Sequence, residues 1–317
     1  MSTRIEPAEV PEVTAPPEPA SASRRTITSI LVDLVALTKP RLTGLVIATT
    51  GSGLWLATRM RAQEGIPARP PSTLALAILG TVLVVCGANA LNMYIERDTD
   101  CLMERTRNRP LPTGRLSPET ALWFGVALSS SALAILFAAV NITTGLLAAF
   151  ALVSYVLVYT PLKRKTTLAL PIGAVPGAIP PLLGWTAVTG RIDPPGLALF
   201  GVLFLWQIPH FLAIATFRKG DYMRAGLKVL PAERGDSVTR RHILFYLAAL
   251  VGVSLLLVPL GAAGAFYFAS ACVLGAAFLV VGAYGLRPSA GVRWARWLFA
   301  LSIVYLVFLL AALMVPA

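Results

Sequence analysis

Residues 73–100 read TLALAILGTVLVVCGANALNMYIERDTD, and the reading of this stretch decides the fold. Its first part is an apolar run of the roughly 20 residues that a helix needs to cross the hydrocarbon of a bilayer. Its last part carries Asn92, Glu96, Asp98 and Asp100, polar and ionised groups that are costly in that hydrocarbon. The stretch therefore marks a membrane span and the place where that span leaves the lipid.

The rest of the chain agrees. Of its 317 residues 56% are hydrophobic and 13% charged, outside the range of soluble globular proteins. The net charge of +12 would suit a nucleic-acid binder, but repeated apolar segments of about 20 residues exclude a basic nucleic-acid-binding domain. Cys86, Cys101 and Cys272 are far apart, with no CxxC and no clustered histidine, which argues against a disulfide framework or a structural zinc site. Residues 1–26 are rich in Pro, Ala, Ser and Glu and are expected to form a disordered tail. They lack the compact apolar core of a signal peptide and are too acidic for a mitochondrial transit peptide. Residues 27–317 are expected to form one all-α, polytopic membrane domain.

Hydropathy predicts nine spans, at 42–59, 73–95, 119–138, 144–162, 167–189, 195–217, 242–260, 264–286 and 294–315. Residues 28–38 form a shorter apolar helix that lies along the interface. Of the 27 lysines and arginines, 23 fall on one side of this topology and 4 (Arg59, Arg61, Arg69 and Arg191) on the other. By the positive-inside rule the N-terminus is cytoplasmic and the C-terminus outside. The longest charged loops follow the second and sixth spans, four spans apart and on the same face, as two parallel four-helix units plus one extra helix would give. Both loops can then cap one cavity.

Asn92, Glu96 and Asp100 recur at i, i+4 and i+8, so on a helix they share one stripe with steps of about 6 Å. Such oxygens suit Mg²⁺, a hard cation that takes few protein ligands and completes its shell with water and phosphate oxygens. Asp98 lies off the stripe and is expected either to serve the helix end locally or to pair with an arginine. Acids at a helix end are ordinary where it meets water, so the stripe alone leaves both readings open. The following RTRNRPLPTGRLSPET adds Arg105, Arg107, Arg109 and Arg115, then Ser117-Pro118 as an N-cap and first helical position. Guanidinium forks beside a metal-type stripe match a diphosphate, and the same arginines also serve as a topology signal. Lys163 and Arg164, with Tyr159 a turn deeper, and Lys39 and Arg41 of TKPR complete a basic rim. No ionised residue falls near the centre of a span, which counts against an ion-coupled transporter.

In the sixth span, FLWQIPHFLAIATFRKGDYMRAGL, Trp206 and His210 sit at i, i+4 with Pro209 between them. Proline leaves the Leu205 carbonyl without its helical partner, so a kink or a lined cavity is expected there. His210 could ligate iron, act as acid or base, or bond a neighbouring helix, and spacing leaves these open. The fifth span, LPIGAVPGAIPPLLGW, reads as a bent, small-residue helix, either for packing or as a cavity wall.

The stretches LTKPR, NMYIERDTD, RTRNRPLPTGRLS, VYTPLKR, GAIPPLLGW and WQIPHFLAIATFRKGDYMRAGL resemble the heme branch of the UbiA-type intramembrane prenyltransferase superfamily, the protoheme IX farnesyltransferases or heme O synthases. The resemblance runs from about residue 30 to the end of the ninth span. It implies that Asn92, Glu96 and Asp100 hold the Mg²⁺-diphosphate of farnesyl diphosphate, with Glu96 standing where the superfamily usually has Asp. The superfamily's second Asp pair is largely absent, leaving Asp221 beside Arg218, which puts a second metal in doubt. The acceptor implied is heme B, contacted by His210, and the product is heme O for terminal respiratory oxidases. Tyr159 or Trp206 would stabilise the allylic cation. The setting implied is a bacterial inner membrane, with a heme A synthase or oxidase-assembly protein as partner. Two other readings compete: a UbiA-type enzyme with an aromatic, quinone-precursor acceptor, and a heme transporter without chemistry.

Overall fold

A computed structural model of the chain describes residues 26–287 and 289–316. All of its regular elements are helices. In chain order these are α1 (Ile27–Leu37), α2 (Pro40–Gln63), α3 (Pro71–Asp100), α4 (Pro118–Val140), α5 (Ile142–Leu162), α6 (Ala169–Thr189), α7 (Pro194–Phe217), the short α8 (Lys219–Arg224) and α9 (Leu230–Glu233), α10 (Gly235–Leu255), α11 (Ala265–Tyr284) and α12 (Val292–Met314). The disordered tail expected at the N-terminus, with Arg4, Arg24 and Arg25 of the charge count, lies outside the described residues except for Thr26.

Eight helices, α3 to α7 and α10 to α12, are long and apolar enough to cross a membrane by length and composition. The remaining predicted span corresponds to α2, equal in length to α7, but its run of Thr, Gly and Ser keeps it below that degree of apolarity. Those small residues are used for packing. A Cβ on Gly53 would land on the Pro181 carbonyl, and one on Gly184 on the Thr50 carbonyl, so α2 and α6 touch backbone to backbone. Close approach through small residues is how helices associate where lipid gives no hydrophobic drive.

The helices follow each other as α2 to α5, then α6, α7, α10 and α11, with α12 left over. That last helix packs on α7 and α11 and returns to α2, closing the ring. The prolines of α6 (Pro176, Pro180, Pro181) and Pro209 of α7 are carried inside continuous helices. The predicted seventh span is shifted: α10 starts at Gly235, in its polar approach, and stops at Leu255. Pro259 explains the stop, because it has no amide for the Leu255 carbonyl and its ring collides with that carbonyl.

Two local features position the site. With 30 residues, α3 is about 45 Å long, well beyond the roughly 30 Å of hydrocarbon. Its last turns therefore stand at the polar end of the bundle while remaining helical. The C-terminal part of α5 widens into a π-helical segment over Ser154–Tyr159, immediately before Pro161, which cannot return an amide to the α ladder. This segment carries Tyr155 and Tyr159. The opposite end is tied separately, with Arg59 donating to the Ala262 carbonyl at 2.8 Å and Arg69 to the Val188 carbonyl at 3.1 Å.

Candidate active site

The acid-bearing end of α3 meets the ends of α5 and α7 and the start of α2 around a polar chamber of about 260 Å³. Asn92, Glu96 and Asp100 all line it, as their spacing predicts, and each is already engaged. Lys39 Nζ donates to Asn92 Oδ1 at 3.3 Å, and Asn92 Nδ2 donates to Thr160 Oγ1 at 3.0 Å. Lys163 pairs with Glu96 at 2.8 Å and Arg109 with Asp100 at 2.7 Å. A diphosphate brought here would meet cations held in place by the acids of the stripe.

Lys39 owes its place to its backbone. It is the one non-glycine residue with positive φ (51°) among the described residues, a conformation costing about 1–3 kcal/mol. That turn joins α1 to α2 and sends the ammonium inward. Burial, then Arg109 and Lys163, push its pKa down to about 7 against the pull of Glu96 and Asp100. Burial also lowers the pKa of Lys163, but Tyr159, Glu96 and Tyr155 outweigh it and the net direction is upward. Lys163 is thus firmly an ammonium, 4.4 Å from the Tyr159 ring centroid.

The geometry fits a hard cation at one atom in particular. Asp100 is 1% exposed, and its Oδ1 is buried without a hydrogen-bond partner among the described residues. Glu96 and Asn92, one and two helical turns back along α3, line the same chamber. Among the described residues there is no group of three or more His, Cys, Asp or Glu able to hold a metal alone. The site suits a cation whose shell is finished by water and phosphate oxygens, as Mg²⁺ requires.

Of the other predicted residues, Arg105 and Arg109 line the polar chamber, and Arg105 lies 5.5 Å from the Tyr222 ring. Arg41 is exposed on the first turn of α2 and does not line the chamber; Arg164 is also exposed and borders a separate side cleft with Glu96 and Thr160. Asp221 is buried, paired with Arg224 and 3.7 Å from Arg218, and its neighbour Tyr222 is the residue that reaches the chamber. Asp98 is exposed and 3.8 Å from Arg97, which is the second of the two roles expected of it. Ser117 caps α4, accepting from the Thr120 amide at 3.2 Å. The three cysteines are free.

Deeper in the bundle the polar chamber adjoins an apolar one of about 290 Å³, and Leu42, Tyr155, Tyr159, Leu170 and Phe211 border both. Its wall includes Pro176 and Pro180 of α6 and Trp206, Gln207 and His210 of α7, the cavity anticipated beside Pro209. Gln207 Nε2 donates to the Leu203 and Ala174 carbonyls, bridging α7 to α6. His210 stacks on Trp206 with ring centroids 4.7 Å apart, and its Nδ1 is 2.6 Å from Ser302 Oγ on α12. Sequence reasoning missed Tyr155, although it precedes Tyr159 by one helical turn, and Thr160, Tyr222 and Ser302, whose roles depend on contacts between helices.

A cationic head joined to an apolar intramembrane chamber has the form of a site for a lipid-like diphosphate, and the comparisons bear on the same point. The UbiA prenyltransferase family matches residues 41–312. A protoheme IX farnesyltransferase of Sorangium cellulosum (strain So ce56) is 65% identical over 280 residues, covering 86% of this chain and all of that one. Its namesake in Myxococcus xanthus (strain DK1622) is 48% identical over 294 residues, covering 92% and 97%. Among solved structures, one of digeranylgeranylglyceryl phosphate synthase aligns with a TM-score of 0.75 at 18% identity, covering 90% of this chain and 97% of that one. A UbiA homolog from Archaeoglobus fulgidus bound to GPP and Mg²⁺ aligns at 0.62 with 16% identity, covering 89% and 100%. These two establish likeness of fold, whereas the sequence relatives and the family match carry kinship. The chain belongs to the UbiA prenyltransferase family and, within it, groups with the protoheme IX farnesyltransferases.

Proposed function

We propose that this membrane enzyme transfers the farnesyl group of farnesyl diphosphate to a vinyl group of heme B, giving the hydroxyethylfarnesyl heme, heme O. The observation that carries this reading is the pair of adjoining chambers, one basic and acid-lined, the other apolar, sharing Tyr155 and Tyr159 at their junction. Lys39, Arg105, Arg109 and Lys163 hold the diphosphate, and the prenyl chain extends into the apolar chamber. When bound by Asn92, Glu96 and Asp100, Mg²⁺ supplies further charge neutralisation on the leaving group.

Cleavage of the C1–O bond leaves an allylic cation and diphosphate. The faces of Tyr155 and Tyr159 at the junction stabilise that cation, and the apolar walls keep water from quenching it. The terminal vinyl carbon of the heme donates its electron pair to C1, moving the positive charge to the carbon attached to the porphyrin. Water adds there and loses a proton, so that heme B, farnesyl diphosphate and water yield heme O and diphosphate. His210 is our candidate for contacting the heme. The setting is a bacterial cell membrane, with the charged chamber and N-terminus cytoplasmic and the C-terminus outside. A heme A synthase or oxidase-assembly protein is the partner expected to receive the product.

The test is to incubate the purified, folded protein in lipid with heme B, farnesyl diphosphate and Mg²⁺ and analyse the extracted heme by mass. A hydroxyethylfarnesyl adduct is expected; its absence from an active-site-intact preparation would sink the assignment.

A further inference from the structure

Ser302 lies in the middle of α12, far in sequence from every residue of the two chambers, yet it bonds two of them. Its backbone carbonyl accepts from Trp206 Nε1 at 2.6 Å, and its Oγ is 2.6 Å from His210 Nδ1. The same Oγ lies 2.6 Å from the Phe299 carbonyl, one turn back, to which it donates. The serine is fully buried, so water does not enter this arrangement.

A hydroxyl has one proton. With that proton on the Phe299 carbonyl, Ser302 Oγ can only accept from the histidine, so Nδ1 must carry the imidazole hydrogen. Reversing the bond would leave the Phe299 carbonyl with its helical amide alone and would exchange two consecutive hydrogen bonds, Nδ1–H to Oγ and Oγ–H to the carbonyl, for a single one. The neutral ring then has its lone pair on Nε2. The rest of the ring is enclosed: Trp206 stacks on it with centroids 4.7 Å apart and an interplanar angle of 26°, Phe299 covers it at 4.7 Å and 36°, and Phe211 meets it edge-on at 5.3 Å. His210 lines the apolar chamber, and Nε2 is the ring nitrogen that Ser302 leaves unengaged.

The geometry points to Ser302 as a positioning residue that fixes His210 in the Nδ1–H tautomer and so presents Nε2 as an electron-pair donor to the apolar chamber, where it ligates the iron of the acceptor porphyrin. The ligand assignment rests on the heme reading above; the tautomer does not. A hydrogen bond on the far nitrogen both orients an imidazole ligand and raises its basicity.

Two measurements test it separately. The chain has 2 histidines, so ¹⁵N-histidine labelling yields two imidazoles, and His242→Asn identifies the exposed one. In heme-free protein His210 is expected to show a protonated Nδ1 and a lone pair on Nε2. The opposite tautomer, or a Ser302→Ala variant with an unchanged spectrum, would overturn the positioning role. Ser302→Ala retains the backbone carbonyl that anchors Trp206, and Ser302→Thr, which keeps a hydroxyl, should restore the parent spectrum.

The second measurement titrates ferric heme B into the same proteins and follows the Soret band and the electron spin resonance of the iron. A histidine-ligated signature is expected in the parent, lost in His210→Ala. In Ser302→Ala the Kd should rise about five- to tenfold, the effect of one hydrogen bond, with recovery in Ser302→Thr. An iron signature unaffected by His210→Ala would overturn the ligand assignment while the nitrogen spectrum still reports on the tautomer.

Discussion

The ammonium of Lys163 stands 2.8 Å from Glu96 Oε1 and 4.4 Å from the centre of the Tyr159 ring. One cation thus links the acidic stripe of α3 to the aromatic junction of the two chambers. The link depends on the reach of the glutamate. An aspartate at position 96 would fall short by about one methylene, roughly 1.5 Å, leaving a weakened pair.

Glu96→Asp should therefore raise the KM for farnesyl diphosphate several-fold with a smaller effect on kcat. Lys163→Met, which removes the cation but keeps the apolar stem beside Tyr159, should raise KM by about tenfold or more, since a charge-assisted contact to phosphate is lost. Steady-state kinetics at saturating heme B would separate the two. An unchanged KM in Lys163→Met would remove this lysine from the diphosphate site.

Asp100 and Arg109 make a different prediction, because Asp100 is buried and retains one carboxylate oxygen without a hydrogen-bond partner among the described residues. Asp100→Asn keeps the shape and removes the charge, so turnover should fall by about a hundredfold or more while the protein remains inserted. Chelation of divalent cations should produce the same loss in the parent and little further loss in the variant. Release of diphosphate is the readout. Near-normal turnover of Asp100→Asn at limiting Mg²⁺ would contradict a metal on this stripe.

The stripe was legible because its periodicity is local: i, i+4, i+8 on a helix needs no knowledge of the rest of the molecule. Its partners were legible only as a class. The basic rim could be read from TKPR, RTRNRP and LKRK, but adjacency in sequence made Arg41 and Arg164 look equivalent to Lys39 and Lys163. The αL turn at Lys39 and the π-helical segment before Thr160 separate the members of each pair, and the prolines next to them, Pro40 and Pro161, mark a break in the helix without specifying either conformation. The His210–Ser302 contact was illegible for a related reason, since it joins residues 92 apart on helices whose neighbours are set by packing.

The short α1 was expected along the interface, and the structure shows what it is tied to within the protein. Asp33 is buried and 3.0 Å from Arg115 Nε, while Arg115 also donates to the Asn108 carbonyl at 3.1 Å. The helix is thereby pinned to the arginine-bearing loop that supplies Arg105 and Arg109. Arg115→Ala should increase amide exchange across residues 27–37 and 105–114 and raise KM for the diphosphate a few-fold. The cost in stability should be modest, about 1 kcal/mol, because the guanidinium is partly solvated. Equal protection in parent and variant would show that α1 is held by its apolar contacts alone.

The crossing of α2 and α6 gives the most severe prediction for folding. Gly53 and Gly184 face the other helix's backbone at Pro181 and Thr50, respectively, and these backbone atoms cannot turn aside as a side chain could. Adding one methyl at either position must separate the helices, and both flank the wall of the apolar chamber. Gly53→Ala and Gly184→Ala should each destabilise the protein by about 1–3 kcal/mol, the usual cost of overpacking a rigid contact. Gly44→Ala, on the same helix with nothing within 4 Å of an added Cβ, is the control and should be neutral or slightly stabilising. Thermal unfolding in detergent, compared across the three variants, separates a steric effect at the crossing from a general intolerance of α2 to substitution: equal losses in all three would refute the backbone contact as the cause.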